Sequence, residues 1–137
     1  MIEGGYFGQI GLRRSGLKKI LIIDDSLMVR TAMTACVQKA GYQALTAAHG
    51  KEALELLFDS PDISLIFLDV HMPIMDGFEM LEALGASELA NTFPIIMLTT
   101  ENMERYRDKV KQYGVKAWVE KPANFDKIVE YIDKLAK

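Results

Sequence analysis

Cysteine and net charge are both scarce in this chain. A single cysteine, Cys36, among 137 residues excludes an internal disulfide and fits a reducing compartment, the cytoplasm. It falls where a helical pattern turns inward, so it reads as a small buried hydrophobe. The formal net charge is only −3, which leaves no basic footprint for direct binding of nucleic acid. No apolar run approaches membrane-spanning length, and the N-terminal residues lack the continuous hydrophobic segment of a secretory signal. What remains is 50% hydrophobic and 26% charged, an ordinary globular composition long enough to build one core without disulfides or metals.

Residues 1–17 carry five glycines, an Arg13-Arg14 pair and no sustained periodicity; they read as a flexible extension or an added leader. The regular pattern begins at Lys18 and runs to Lys137 as one domain. Ile20–Ile23 is an apolar strand ending in Asp24-Asp25. Ser26 caps a helix with Val29, Met33, Cys36, Val37 and Ala40 at helical spacing, which Gly41 ends. A short strand over 42–47 leads through Gly50 to a helix whose apolar stripe is Ala53, Leu54, Leu57 and Phe58, stopped by Ser60-Pro61.

Leu65–Leu68 is a second unbroken apolar run, the mark of a strand covered on both faces, and it ends at Asp69. Pro73 removes the helical region from Met72 and Asp76-Gly77 is a turn pair, so the chain loops there before a helix to about Leu84. Ile95–Leu98 repeats the pattern and delivers Thr99-Thr100. A helix over 103–113 is broken by Gly114, a last strand over 116–119 leads to Glu120-Lys121-Pro122, and a final helix shows Phe125, Ile128, Val129, Ile132 and Leu135 on one face.

Five strands alternating with five helices require parallel pairing and right-handed crossovers. The fold class is α/β: a doubly wound five-stranded parallel sheet in the flavodoxin-like order 2-1-3-4-5, a three-layer sandwich. Strands one and three are then neighbours at the topological switch point, which sets Asp24, Asp25 and Asp69 side by side with Thr99 and Lys121 facing the same cleft. Two unit charges 4 Å apart repel by roughly 4 kcal/mol at an effective dielectric of 20, so three crowded carboxylates call for a cation. An all-oxygen cluster suits Mg²⁺ or Mn²⁺. Lys121 and Thr99 are placed to bind the oxygens of a phosphoryl group, with Asp69 as the nucleophile that receives it.

Asp24-Asp25, Asp69 with Met72-Pro73 and Asp76-Gly77, Thr99 after an apolar strand, and Lys121-Pro122 together resemble a response regulator receiver domain of the chemotaxis-regulator type. The resemblance implies that Asp69 accepts phosphate from a sensor histidine kinase or a histidine phosphotransfer protein. It implies Mg²⁺ held by Asp25, Asp69 and the backbone carbonyl of His71, with Asp24 acting through metal-bound water. Thr99 and Lys121 contact the phosphoryl group, and Trp118 stands at the aromatic switch position. A cis peptide before Pro122 is implied, as is an output partner on the face of helix four, strand five and helix five, reached as a monomer or a phosphorylation-dependent dimer. Thr100 departs from the alanine common in the family, which hinders access to the phosphodonor. His71 and Glu101, each two residues past Asp69 and Thr99, flank the phosphoryl group and tune its lifetime, Glu101 through water.

Lone placement makes His71 and His49 ordinary loop histidines rather than a metal site. Two other classes stand against this reading. A haloacid dehalogenase-type phosphatase expects its nucleophile on the first strand as Asp-x-Asp, whereas this chain has adjacent aspartates there. A flavodoxin-like cofactor binder would set three carboxylates against an FMN phosphate. Stand-alone regulator and receiver cut from a longer regulator or hybrid kinase are equally compatible with the residues.

Overall fold

Strands that are apolar on both faces need helices on both sides of the sheet, and the computed structural model, which describes residues 17–136, places them there. In chain order the elements are β1 (Lys19–Ile23), α1 (Leu27–Lys39), β2 (Gln43–Ala47), α2 (Gly50–Asp59), β3 (Ile63–Leu68) and α3 (Gly77–Gly85). They continue with β4 (Ile95–Thr99), a single 3-10 turn (Met103–Tyr106), α4 (Arg107–Gln112), β5 (Ala117–Glu120) and α5 (Phe125–Leu135). The sheet order is β2-β1-β3-β4-β5 with every pair parallel, the doubly wound sandwich that the sequence pattern predicts. The proposed extension over 1–17 lies, apart from Leu17, outside the described residues.

Period-two alternation sends successive strand residues to opposite layers. Leu21, Ile23, Ile66, Leu68, Ile95 and Met97 pack with Ala53 and Leu57 of α2 and Met80, Leu81 and Leu84 of α3. Ile20, Ile22, Leu65, Phe67, Ile96 and Leu98 pack with Met33, Cys36 and Val37 of α1 and Ile128 and Ile132 of α5. Cys36 is buried among them, and burial pushes its thiol up from the ordinary value. Ser26 Oγ accepts from Val29 N–H at 3.3 Å to start α1, and Gly41, at φ 94°, takes the left-handed conformation that lets the chain leave it.

The helical stripes need three corrections. Phe58 is 48% exposed: the inward face of α2 is centred on Gly50, Ala53 and Leu57, and one residue past Leu57 is a rotation of about 100°. Phe125 is 53% exposed because it is the first residue of α5, where the turn from β5 leaves it over a cavity of about 430 Å³ shared with Val29, Met33 and Pro122. The helix expected over 103–113 divides into the 3-10 turn and the six-residue α4, neither with a buried side chain. With one aliphatic residue, Val110, in α4, there is no apolar stripe to hold a longer helix against the sheet.

Candidate functional site

Backbone pairing assembles the carboxyl edge of the sheet. Asp24 N–H donates to Ala47 O and Asp69 N–H to Ile23 O, both at 3.0 Å, so the ends of β1 and β3 are locked abreast. The β3–α3 loop returns through Gly77, whose N–H bonds Val70 O at 2.8 Å; a Cβ there would run into the carbonyl of Asp69. Asp76 and Glu79 close the loop with a reciprocal capping box. Across the cleft, Lys121 N–H donates to Thr99 O at 2.8 Å, and the Lys121–Pro122 peptide is cis.

This scaffold brings the carboxylate oxygens of Asp24, Asp25 and Asp69 within 4.8 Å of one another. Asp24 and Asp69 are buried, at 2% and 8% exposure, and Asp25 is exposed. Lys121 Nζ reaches Asp24 Oδ2 at 2.6 Å and Asp69 Oδ2 at 3.1 Å. The other oxygens are also occupied: Ser26 N–H donates to Asp24 Oδ1 at 2.9 Å and Val70 N–H to Asp69 Oδ1 at 2.7 Å. Burial raises the Asp24 carboxyl above its ordinary value, outweighing the Lys121 and Ser26 hydrogen bonds that favour its ionised form, and the Asp69 charge adds to the rise. Burial pulls the Lys121 ammonium down, but hydrogen bonds and charge from Asp24 and Asp69 overcome it and hold the group above its usual range. One ammonium against three carboxylates leaves a hard, all-oxygen pocket whose excess negative charge matches a divalent cation.

Thr99 is fully buried, and its Oγ1 accepts from Glu101 N–H at 3.2 Å. Glu101 meets His71, Oε2 to Nε2 at 3.3 Å, which brings the β3–α3 and β4–α4 loops together at the cleft mouth. Trp118 is half-buried, with its indole N–H donating to the carbonyl of Glu101 at 2.9 Å. His49 caps α2, its Nδ1 accepting from Glu52 N–H at 3.2 Å.

Two neighbours were not legible from spacing. Arg30 donates from Nη1 to the carbonyl of Asp24 at 2.8 Å; its position in the first turns of α1 is the one signal that could have found it. Tyr106 stacks on Trp118 with ring centroids 5.7 Å apart; an aromatic residue in an otherwise charged segment was the hint.

The sequence profile of the response regulator receiver domain matches residues 20–133. The chain belongs to that family. Among similar receivers, the chemotaxis protein CheY homolog of Campylobacter jejuni is 32% identical over 105 residues, covering 76% of this chain and 81% of that one. The two-component response regulator ORR5 of rice (Oryza sativa) is 29% identical over 112 residues, 82% and 84% of the respective chains. Among solved structures, chemotaxis protein CheY4 of Vibrio cholerae superposes with a TM-score of 0.80 at 34% identity over 87% of this chain and 98% of that one. CheY in a CheX–CheY–BeF3–Mg complex of Borrelia burgdorferi does so with a TM-score of 0.79 at 27% identity, over 88% and 90%. Receiver domains are signalling domains, and the acidic pocket of this receiver lies at the carboxyl edge of its sheet. Among the described residues no helix is long and apolar enough to cross a membrane.

Proposed function

We propose that this receiver is a cytoplasmic phosphorylation switch that takes a phosphoryl group on Asp69 from the phosphohistidine of a sensor histidine kinase or phosphotransfer protein. The observation that carries the reading is the lysine clamp: Lys121 bonds both Asp24 and Asp69, so a fixed cation stands at the one buried carboxylate that ends the central strand β3. A carboxylate oxygen of Asp69 attacks phosphorus, an O–P bond forms, and the P–N bond to the histidine breaks with its electron pair leaving on the imidazole. Lys121 Nζ passes from the carboxylates to the phosphoryl oxygens, and the Thr99 hydroxyl, whose oxygen accepts from Glu101 N–H, donates a hydrogen bond to one of them. The domain acts as a phosphoacceptor that assists its own phosphorylation and dephosphorylation, not as a turnover enzyme.

The hard donor set fits Mg²⁺ or Mn²⁺, which Asp25, Asp69 and the carbonyl of His71 would hold, with Asp24 through water; when bound, the ion offsets negative charge on the phosphoryl oxygens. His71 and Glu101, paired at the cleft mouth, set the lifetime of the phosphorylated form by their hold on the path of attacking water. The output is a changed affinity for a partner on the α4–β5–α5 face. Acetyl phosphate with Mg²⁺ adds one phosphoryl group to the protein, read as intact mass, and Asp69→Ala takes up none; equal labelling of Asp69→Ala would refute the assignment.

A further inference from the structure

The three carboxylates of the acidic pocket are held unequally. Asp24 is fixed on several sides: its N–H donates to Ala47 O at 3.0 Å, its Oδ1 accepts from Ser26 N–H at 2.9 Å, and its Oδ2 takes Lys121 Nζ at 2.6 Å. Asp69 is fixed by Ile23 O, Val70 N–H and Lys121 Nζ. Asp25 is exposed, and its carboxylate bonds no other described residue. The direction of that carboxylate is therefore set by the backbone that carries it. Arg30 grips this backbone, its Nη1 donating at 2.8 Å to the carbonyl of Asp24, which belongs to the Asp24–Asp25 peptide. A peptide unit is a rigid plane, so a bond at its oxygen also fixes the amide and Cα of Asp25. Ser26 completes the frame: its Oγ caps α1 at Val29 N–H, and its carbonyl accepts Arg30 N–H at 3.0 Å. Arg30 thus ties the first turn of α1 to the peptide that joins the two aspartates.

Charge does not explain a guanidinium here. It is positive at every working pH, and a permanent cation beside a pocket suited to a divalent ion opposes that ion by repulsion. Its hydrogen bond acts in the opposite sense, since outer partners that orient metal ligands are worth roughly 10- to 100-fold in metal affinity. The smaller ion gains more from such orientation: Mg²⁺ demands near-ideal octahedral geometry, whereas Ca²⁺ accepts looser ligand sets. We propose that Arg30 is a positioning residue for the acidic pocket. By holding the Asp24–Asp25 peptide it aims the exposed Asp25 carboxylate at the ion and biases the pocket toward Mg²⁺ over Ca²⁺. This deepens the reading of the pocket as a divalent-cation site and rests on it. Arg30 acts through the peptide, and the price in repulsion is outweighed by the ligand it orients.

Titration calorimetry of the full chain with MgCl₂ and with CaCl₂, at constant ionic strength, separates the two effects by sign. Arg30→Met keeps the aliphatic stem and removes both the donors and the charge. It weakens Mg²⁺ binding about tenfold, the lower end of the range for outer partners, and Ca²⁺ binding by less than about threefold, so the preference for Mg²⁺ falls. Loss of global stability alone moves neither constant of the folded protein. A counter-charge role predicts the reverse, with both ions bound more tightly and by equal factors. That result, or a Mg²⁺ affinity equal to wild type, would overturn the positioning role while leaving the cation site intact. Absence of binding heat and of any thermal-midpoint shift in the wild type with either ion would reject the cation site and the proposal with it. Should Arg30→Met lose the far-ultraviolet circular dichroism of the wild type, Arg30→Lys carries the test. Its charge is kept on a stem one bond shorter, so its Mg²⁺ affinity falls several-fold with Ca²⁺ little changed, and a Mg²⁺ affinity equal to wild type would overturn the proposal.

Discussion

Helices α4 and α5 flank β5 on opposite layers of the sheet, and they are attached in different ways. Helix α5 sinks Ile128 and Ile132 to 0% exposure into the layer shared with α1. Helix α4 buries nothing, and its neighbourhood is held by ring contacts: Phe78 on Tyr106 and on Tyr113, with Lys109 over the Phe78 ring. The two helices thus divide the labour of the fold. One is fixed by aliphatic burial that any conformational change must respect; the other rests on a few side-chain contacts that a change at the β4 terminus can rearrange. Elements that respond to a ligand are drawn from the least stable part of a structure, and here that part adjoins Thr99 and Glu101.

The largest expected effect sharpens this contrast through stability. Ile132→Ala lowers the unfolding free energy by about 3 kcal/mol, in the range for a fully buried aliphatic side chain, whereas Val110→Ala in α4 costs less than about 1 kcal/mol. Urea denaturation of the two variants measures both, and equal losses would break the comparison. The acidic pocket, next, sets three carboxylates against one ammonium, so a cation bound there would stabilise the fold. Saturating Mg²⁺, at about a hundred times its dissociation constant, raises stability by roughly 2.7 kcal/mol, read as a shift in thermal midpoint. Asp25→Ala removes that shift.

A third effect concerns the lifetime pair. Replacing both His71 and Glu101 with alanine changes the dephosphorylation rate about tenfold, roughly 1.4 kcal/mol of barrier, with little change in Mg²⁺ affinity. Phosphate release and metal titration on the double variant test it; equal release rates would exclude the pair from the reaction, and a large fall in affinity would assign it to the metal site. The smallest effect is in alkali. Asp24 and Asp69 hold the Lys121 ammonium above its unfolded value, so the stability it contributes is complete below the ordinary lysine range and is lost as pH rises through the raised folded value. The stability difference between wild type and Lys121→Met is therefore constant at neutral pH and shrinks only in strong alkali.

Much of this was legible in the residues because it follows from short-range pattern. Apolar runs ending at Asp24-Asp25, Asp69 and Thr99 identified parallel strands and, through their order, the pocket at their carboxyl ends. What stayed hidden depends on packing between loops. Phe58 and Phe125 match helical spacing, but exposure depends on where the sheet lies beneath each helix. The capping of α2 by His49 was not legible, because it depends on the direction of the backbone entering the helix. The meeting of Glu101 with His71 joins residues from separate loops whose approach is set by the sheet edge, and no periodicity in the sequence records it.

If Asp69 takes up a phosphoryl group, the lightly held α4 side of β5 rearranges while the buried turns of α5 keep their packing. Amide hydrogen exchange followed by peptide mass spectrometry, with and without beryllofluoride and Mg²⁺, tests it on wild type and on Asp69→Asn. The expected result is altered exchange over 100–118 in the wild type, unchanged exchange in the buried turns of α5, and no response over 100–118 in Asp69→Asn. Equal changes in α4 and α5, or the same response in Asp69→Asn, would contradict it.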